Sequence, residues 1–297
     1  MSKEVSIVAC SLSELLEKDL PQRENILSPW LPRQGLTMIH AERGIGKTHV
    51  ALGIAYAVAS GSHFLNWEAK QPHGVLLLDG EMPAITLKER LQAITSSNGG
   101  IIPTAIFSII TPDFQEYGMP DLATEEGQLQ IQQHITENID LLIIDNISTL
   151  VRSGEENKAE GWLPVQEWAL KQRARVKSIL FIHHSGKKGN QRGTSKREDV
   201  LDTVINLKRP SKYSQSDGAR FIISFEKARG IYGEDAEPFE AQLKDGVWII
   251  KSIVSKTFDK VLKLSKEGLS QAEIARELGV NKSTVSRHVK NIKPRSN

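Results

Sequence analysis

One stretch of fifteen residues, LTMIHAERGIGKTHV at positions 36–50, constrains the fold of this chain more than any other. Its apolar start predicts a buried strand over residues 36–39, and its end predicts a helix from Lys47 to about Ala59. Between them lies a glycine-containing turn, whose backbone N–H groups can converge on phosphate oxygens at the start of the helix. A strand, a glycine turn, Lys-Thr and a helix together predict a binding site for a nucleoside triphosphate.

The residue types in this turn assign roles to its members. We expect Lys47 to reach the β- and γ-phosphates and the Thr48 hydroxyl to take a place on Mg²⁺. Ala41 stands where the pattern G-x-x-x-x-G-K-[ST] has its first glycine, a mild change if that position needs no positive φ. An ordinary glycine-rich turn is the alternative interpretation. The residues expected to contact ATP are Arg43, Gly44, Ile45, Gly46, Lys47, Thr48 and His49.

Short apolar runs alternate with helical patterns along the next part of the chain. This alternation is typical of βαβ units, so we predict an α/β fold with a mostly parallel sheet flanked by helices. The apolar runs after residue 200 have the spacing of antiparallel hairpins, which we place at one edge of the sheet. The predicted strands are 74–79, 106–110, 140–145, 178–183, 204–207, 220–226, 240–243 and 247–250, and the predicted helices are 84–95, 129–137 and 162–175.

Two acidic residues at strand ends are candidates for the chemistry of hydrolysis. Asp145 ends the run DLLIID, where its carboxylate can hold Mg²⁺ together with Thr48. Asn146 follows it, so no acid next to this aspartate is available to activate water. Glu81 follows the run GVLLLD, at the carboxyl edge where ligands bind in open α/β sheets. We predict that Glu81 activates water; the alternative is an acid in the first turn of the next helix.

Basic and imidazole side chains follow two later strands. His183 and His184 close the run SILFIHH, and we take His183 as the catalytic candidate that contacts the γ-phosphate. Two polar residues that merely end a strand are the alternative. Lys227 and Arg229 follow the run FIISFE, from which an arginine can reach the nucleotide of a neighbouring subunit. A solvated basic pair is the alternative there.

The charge of the chain is concentrated at its end. The 297 residues carry a net charge of +2, but residues 251–297 contain eleven Lys and Arg against four Asp and Glu, which leaves −5 for the rest. A basic terminal module predicts a nucleic-acid partner.

A single cysteine, Cys10, excludes an internal disulfide. Without a long apolar run or a leader pattern, we expect a soluble, cytoplasmic protein with no membrane partner.

The basic module has the pattern of a helix-turn-helix over residues 270–292. Ala275 is small where two helices cross, Gly279 can end the first helix, and Asn281 can cap the second. The second helix would enter the major groove of duplex DNA. A helical hairpin without DNA contact is the alternative. The predicted DNA-binding residues of this helix are Lys282, Ser283, Thr284, Ser286 and Arg287.

The motifs GIGKT, LLLDGE, LLIIDN, LFIHHSGKKG, RGTS and EKARG occur in this order. In this respect the chain resembles RecA-like P-loop ATPases, most closely the RepA-type hexameric helicases of plasmids and more distantly DnaB-type helicases. The resemblance implies that Glu81 is the catalytic base and that Lys227 and Arg229 act in trans in a hexamer. It also implies that loops lining a channel bind single-stranded DNA, through Lys187, Lys188, Arg192, Lys196 and Arg197. Ile205 and Asn206 depart from that family, which can carry its finger arginine there.

We therefore expect an Mg²⁺-dependent ATPase with a RecA-like domain over residues 1–250, including an extension over 1–34, and a helix-turn-helix domain over 256–297. The leading hypothesis is a hexameric replicative helicase, or a helicase-like motor, of a plasmid or other mobile element. The alternative is an ATP-controlled replication initiator or transcription regulator that unwinds nothing. A small-molecule kinase would explain neither the basic module over residues 251–297 nor the basic loop over residues 185–199.

Overall fold

A computed structural model describes residues 7–20, 22–153, 159–185 and 199–292. The helices are α1 (Leu12–Glu17), α2 (Lys47–Ser60), α3 (Ala84–Ser97), α4 (Glu125–Gln132), α5 (Ile147–Leu150), α6 (Ala159–Ala174), α7 (Val254–Lys266), α8 (Gln271–Leu278) and α9 (Lys282–Ile292). The strands are β1 (Asn25–Leu27), β2 (Leu31–Pro32), β3 (Leu36–Ala41), β4 (His63–Phe64), β5 (Trp67–Glu68), β6 (Val75–Asp79), β7 (Phe107–Ile110), β8 (Leu141–Asp145), β9 (Ser178–His184), β10 (Thr203–Lys208), β11 (Arg220–Ala228), β12 (Phe239–Lys244) and β13 (Val247–Ser252). None of the helices in these ranges is both long and apolar enough to cross a lipid bilayer.

Within the described residues, nine strands form one sheet in the order β13-β12-β11-β10-β3-β9-β8-β6-β7. The strands from β10 to β7 are parallel, whereas β11, β12 and β13 continue the sheet in antiparallel pairs. The mostly parallel sheet and its hairpin edge confirm the predicted α/β class. Because parallel strands end at the same edge, the carboxyl ends of β3, β6, β8 and β9 all lie on one side of the sheet.

Helices cover both faces of the parallel strands. One core packs α2 and α3 against the sheet, and a second core packs α5 and α6 against the other face. Strands β3, β6 and β8 are therefore buried along their whole length. This explains their near-continuous apolar sequences, which lack the alternation of a strand with one wet face.

Helix α4 differs from its prediction, which placed it over residues 129–137. It begins about one turn earlier because Thr124 caps it: the Thr124 hydroxyl accepts a hydrogen bond of 3.1 Å from the Gly127 N–H. Glu125 and Glu126 then occupy the first turn, where negative charge is favourable. The apolar spacing alone did not reveal this start.

Three helices, α7, α8 and α9, close the described part of the chain and pack around Val261, Ile274 and Val285. Helix α8 starts with a capping box, in which the Ser270 hydroxyl accepts from the Glu273 N–H and the Glu273 carboxylate accepts from the Ser270 N–H. It ends at Gly279, whose N–H donates to the Ala275 carbonyl. These helices confirm the predicted helix-turn-helix.

A first prediction concerns the packing of α2 at Gly53. A Cβ added at Gly53 would overlap the ring of Phe64, which is itself held beside Trp67 and Trp248, with ring centroids 6.2 and 5.7 Å away. We expect Gly53→Ala to lower the free energy of unfolding by about 2 kcal/mol despite the better helix propensity of alanine. Urea denaturation monitored by circular dichroism would measure this loss.

The control for this prediction is a double-mutant cycle with Phe64→Leu. The smaller side chain should relieve the overlap, so Gly53→Ala should cost less in the Phe64→Leu background than in the wild type. Equal costs in the two backgrounds would contradict the packing explanation.

Candidate active site

A cavity of about 280 Å³ lies at the carboxyl edge of the parallel strands, where the turn after β3 meets the ends of β6, β8 and β9. It contains the glycine turn, Glu81 and Asp145, as the sequence predicted. Its lining residues are Gly44, Ile45, Gly46, Lys47, Thr48, His49, Glu81, Met82, Arg90, Asp145, Asn146, His184 and Ala219. Of the residues expected to contact ATP, all except Arg43 line it.

The turn between β3 and α2 needs glycine at two places and not at a third. Gly44 and Gly46 have φ angles of +73° and +116°, which L side chains rarely adopt. A Cβ at Gly46 would also lie 3.0 Å from the Ala219 Cβ. Ala41, by contrast, is the buried last residue of β3, so the missing first glycine costs no strain.

Lys47 is the first residue of α2, and its side chain folds back over the glycine turn. Its Nζ donates hydrogen bonds to the carbonyl oxygens of Ala41 at 3.0 Å and Glu42 at 2.8 Å. Burial lowers the pKa of Lys47 to about 8, while the nearby charges of Asp145 and Glu81 oppose this change. The hydrogen bonds of Lys47 to described residues go to carbonyl oxygens, and a buried ammonium group in such surroundings would gain much from a phosphate anion.

Asp145 and Thr48 are in contact, as expected for residues that share a metal ion. The Thr48 hydroxyl donates a hydrogen bond to the Asp145 carboxyl, yet the buried Oδ2 of Asp145 has no hydrogen-bond partner within the described residues. Burial raises the pKa of Asp145 to about 7, and the neighbouring charge of Asp79 adds to the effect. A hydroxyl beside an unpaired carboxylate oxygen is a donor set that Mg²⁺ uses in combination with phosphates and water.

Asp79 is a site residue that the sequence reasoning missed. It pairs in register with Asp145 across β6 and β8, and its Oδ1 accepts hydrogen bonds from the N–H groups of Glu81 at 2.9 Å and Met82 at 2.6 Å. Burial raises the pKa of Asp79, and these two hydrogen bonds oppose the rise. Asp79 thus fixes the turn that carries Glu81. The sequence does contain a signal for Asp79, because the apolar runs GVLLLD and DLLIID both end in aspartate.

Of the two histidines at the end of β9, His184 lines the cavity. His184 Nε2 lies 3.7 Å from Glu81 Oε1. His183, our catalytic candidate, is buried in the sheet, and it is not among the lining residues because neighbouring residues of a strand point to opposite faces. The strand end was predicted correctly, but the sequence does not reveal which of the two histidines faces the ligand.

Arg90 on α3 is a second site residue that the sequence does not reveal, since it lies in no motif. It lines the cavity, its pKa is lowered by burial, and the charges of Asp79 and Asp145 oppose this change. Burial, together with the positive charge of Arg90, lowers the pKa of His49 to about 4, so this imidazole is neutral at pH 7. The cavity is therefore lined by the cationic groups Lys47 and Arg90 and by a neutral His49.

Lys227 and Arg229 lie far from this cavity. They stand at the end of β11, which is antiparallel to β10, so Thr203 at the start of β10 pairs with Ala228. Their side chains donate to the Asp199 carbonyl at 3.4 and 3.3 Å. This is the edge opposite to the nucleotide turn, about 20 Å away along the six residues of β3. Neither side chain can serve the cavity of its own chain.

The predicted DNA-binding residues fall into two groups. On α9, Lys282, Ser283 and Arg287 are exposed, and Thr284 and Ser286 are partly exposed, whereas Val285 is buried in the core of the three helices. Lys187, Lys188, Arg192, Lys196 and Arg197 lie outside the residues that the structure describes. Among the described residues, nothing buries the recognition face of the helix-turn-helix.

A phosphate-binding turn on β3, an aspartate on β8 and a mostly parallel sheet that continues in hairpins define a P-loop ATPase domain of RecA-like fold, followed by a helix-turn-helix. The family model of an AAA domain matches residues 4–190, more than half of the chain, so the protein belongs to this family. The model of a homeodomain-like domain matches residues 260–293.

Solved structures are similar to the chain at the level of the fold. A KaiC-like protein from the archaeon Pyrococcus horikoshii matches with a TM-score of 0.55 and 14% identity, over 77% of this chain and 99% of that protein. The flagellar accessory protein FlaH from Methanocaldococcus jannaschii matches with a TM-score of 0.48 and 12% identity, over 74% and 90% of the two chains. None of the curated proteins compared with the chain matches it.

The buried carboxyl of Asp145 leads to a second prediction, on the pH dependence of stability without nucleotide or metal. Its pKa is about 7 in the folded protein and close to 3.9 in an unfolded chain, so folding takes up a proton between these values. The folded state should therefore lose stability as the pH rises from 5 to 8. We expect the loss in the free energy of unfolding between pH 5 and pH 8 to be about 2 kcal/mol smaller in Asp145→Asn than in the wild type.

Urea denaturation in the presence of a chelator, repeated at several pH values, would measure the difference. The variant should also be the more stable protein at pH 8, because a neutral amide replaces a desolvated carboxylate. Parallel profiles for the wild type and Asp145→Asn would show that Asp145 does not titrate in this range.

Proposed function

We propose that this protein hydrolyses ATP with Mg²⁺ and uses the reaction to act on DNA, as a hexameric helicase or helicase-like motor. The observation that carries the proposal is the cavity where Lys47, Glu81 and the Thr48–Asp145 pair meet, in a chain that also exposes a helix-turn-helix recognition face. The resemblance to RepA-type plasmid helicases supports the motor. We assign the ATPase and the binding of single-stranded DNA to residues 1–250, and the binding of duplex DNA to residues 256–297.

In this mechanism the backbone N–H groups of the glycine turn and Lys47 bind the β- and γ-phosphates. Thr48 and Asp145 would hold Mg²⁺, which would supply positive charge against the negative charge that develops on the phosphate oxygens. Glu81 orients the attacking water and accepts its proton, from a half-exposed position on the turn that Asp79 fixes. His184 lies beside Glu81 and can respond to the γ-phosphate, a role that we move to it from His183.

The position of Lys227 and Arg229 supports an assembly of several subunits. Because both residues lie at the edge opposite to their own cavity, a role in catalysis requires the nucleotide of another copy. We therefore assign them to the transition-state charge of a neighbouring subunit's ATP. The predicted ring of six follows from the resemblance to hexameric helicases.

A third prediction tests this arrangement by mixing two inactive variants. Lys47→Ala should abolish nucleotide binding in its own cavity, and Arg229→Ala should abolish turnover in a neighbour. When the two proteins are mixed, some cavities with Lys47 will face a subunit with Arg229, and about a quarter of wild-type turnover should return if neighbours are random. Phosphate release would measure the rate. If mixing restores nothing, Arg229 does not act in trans.

A fourth prediction separates the motor from the alternative, an ATP-controlled DNA-binding regulator that the exposed helix-turn-helix favours. We expect the full chain to displace a strand from a forked duplex in the presence of ATP. Glu81→Gln should bind ATP with little change in affinity but lose at least about 100-fold in turnover, and with it all displacement.

The matched variant for this test is Arg287→Ala, which removes a DNA donor from the recognition helix without touching the ATPase cavity. For a motor, stimulation of the ATPase by single-stranded DNA should survive Arg287→Ala. Loss of stimulation in that variant, or duplex binding by the wild type without any displacement, would favour the regulator.

A further inference from the structure

Asn146 is a buried amide in the candidate active site that the mechanism above does not use. It follows Asp145 at the end of β8, it is 2% exposed, and it lines the cavity of the glycine turn. Its Oδ1 is buried and has no hydrogen-bond partner among the described residues. A buried amide oxygen without a partner costs free energy, and a ligand of the cavity that donates a hydrogen bond to it would remove that cost.

Asn146 and Glu81 reach the cavity from neighbouring strands. Asp79 and Asp145 are paired in register across β6 and β8, and adjacent strands lie about 4.8 Å apart. The Gly80 N–H donates to the Asp145 carbonyl at 2.7 Å, which holds the two strand ends together beyond this pair. Glu81 is two residues past Asp79, Asn146 is one residue past Asp145, and both line the same cavity.

The two side chains offer different chemistry to a water molecule. A carboxylate accepts hydrogen bonds and can take a proton, whereas an amide oxygen accepts a hydrogen bond and remains neutral. The Glu81 side chain is 52% exposed, so a water bound to it alone can turn about a single hydrogen bond. When two acceptors bind both O–H groups of a water, its lone pairs point away from them in one direction. A buried amide beside an exposed carboxylate is therefore suited to orient an attacking water.

We propose that the Asn146 amide oxygen binds one O–H group of the water that attacks ATP, while Glu81 binds the other. In the reaction the O–H bond facing Glu81 breaks and its proton passes to the Glu81 carboxylate. The water oxygen forms a bond to the γ-phosphorus, and the bond from that phosphorus to the bridging oxygen breaks and releases ADP. Asn146 exchanges no proton and fixes the direction of attack. This inference deepens the proposed ATPase and rests on it.

The binding of two ligands to the full chain tests this role without turnover. ADP with Mg²⁺ lacks the γ-phosphate, whereas the same ligand with aluminium fluoride imitates the transition state, with the attacking water in place. A fluorescent label on ADP would report both affinities. We expect Asn146→Ala to bind ADP like the wild type and the aluminium fluoride complex at least about 10-fold more weakly. Equal affinity of the two proteins for that complex would overturn the proposal.

Turnover gives a second measure, through the coupling between Asn146 and Glu81. Asn146→Ala should lower kcat about 10- to 100-fold and leave KM within about twofold of the wild type, because the water is lost from the transition state and not from ATP binding. Added to Glu81→Gln, the same change should cost little more, since both residues act on one water. Losses that multiply would show that Asn146 does not act on that water.

Ser148→Ala is the matched control for the end of β8. Ser148 lies on α5, two residues after Asn146, and its Oγ is also buried without a partner among the described residues, but it is not among the residues that line the cavity. Its removal should leave both affinities and kcat unchanged. If Ser148→Ala weakens the binding of the aluminium fluoride complex as much as Asn146→Ala does, the loss reflects packing and the proposal is wrong.

Folding and the ATPase are checked separately. If Asn146→Ala does not fold in urea denaturation, Asn146→Ser replaces it, because its hydroxyl keeps a polar group at the site but lies one bond nearer the backbone. Wild-type affinity of Asn146→Ser for the aluminium fluoride complex would then overturn the proposal. If the wild type does not hydrolyse ATP, the proposed function itself is wrong. If it does, and Glu81→Gln is inactive while Asn146→Ala turns over normally, only the role of Asn146 is wrong.

Discussion

The desolvation of charge at the carboxyl edge of the sheet is the constraint on which the candidate site depends. Burial raises the pKa of Asp79 and Asp145 and lowers that of Lys47, because the charged form of each group loses solvation that its neighbours do not fully replace. A phosphate beside Lys47 and a cation beside Asp145 would each supply the missing counter-charge. The binding energy of a metal–nucleotide complex can thus come in part from relieving a cost that the fold itself creates.

The topology of the sheet decides which groups share that edge. Parallel order brings the ends of β3, β6, β8 and β9 together, and with them the glycine turn, Asp79, Asp145 and His184. The change to antiparallel pairing at β11 sends Lys227 and Arg229 to the other edge. One reversal of strand direction therefore divides the candidate residues into a set beside the glycine turn and a set at the opposite edge, which could act only on the nucleotide of another copy.

Sequence reasoning succeeded where a single physical cause controls the pattern. Continuous apolar runs predicted β6 and β8 because both faces of these strands are covered, and the glycine turn predicted the cavity because positive φ at Gly46 needs glycine. Sequence reasoning failed where the three-dimensional arrangement determines which side chain faces the cavity. The pleat of β9 determines that His184 rather than His183 lines the cavity, and the orientation of α3 against the sheet brings Arg90 to it. The start of α4 depended on a cap at Thr124 that apolar spacing does not show.

One residue connects the N-terminal segment with Arg229, the arginine proposed to act in trans. The Asp202 carboxylate accepts from Arg23, which anchors the segment leading to α1, and the Asp202 carbonyl accepts from the Arg229 N–H at 3.1 Å. Asp202 is therefore tied both to the segment that leads to α1 and to Arg229, so the anchor of the N-terminal segment and the position of Arg229 depend on the same residue.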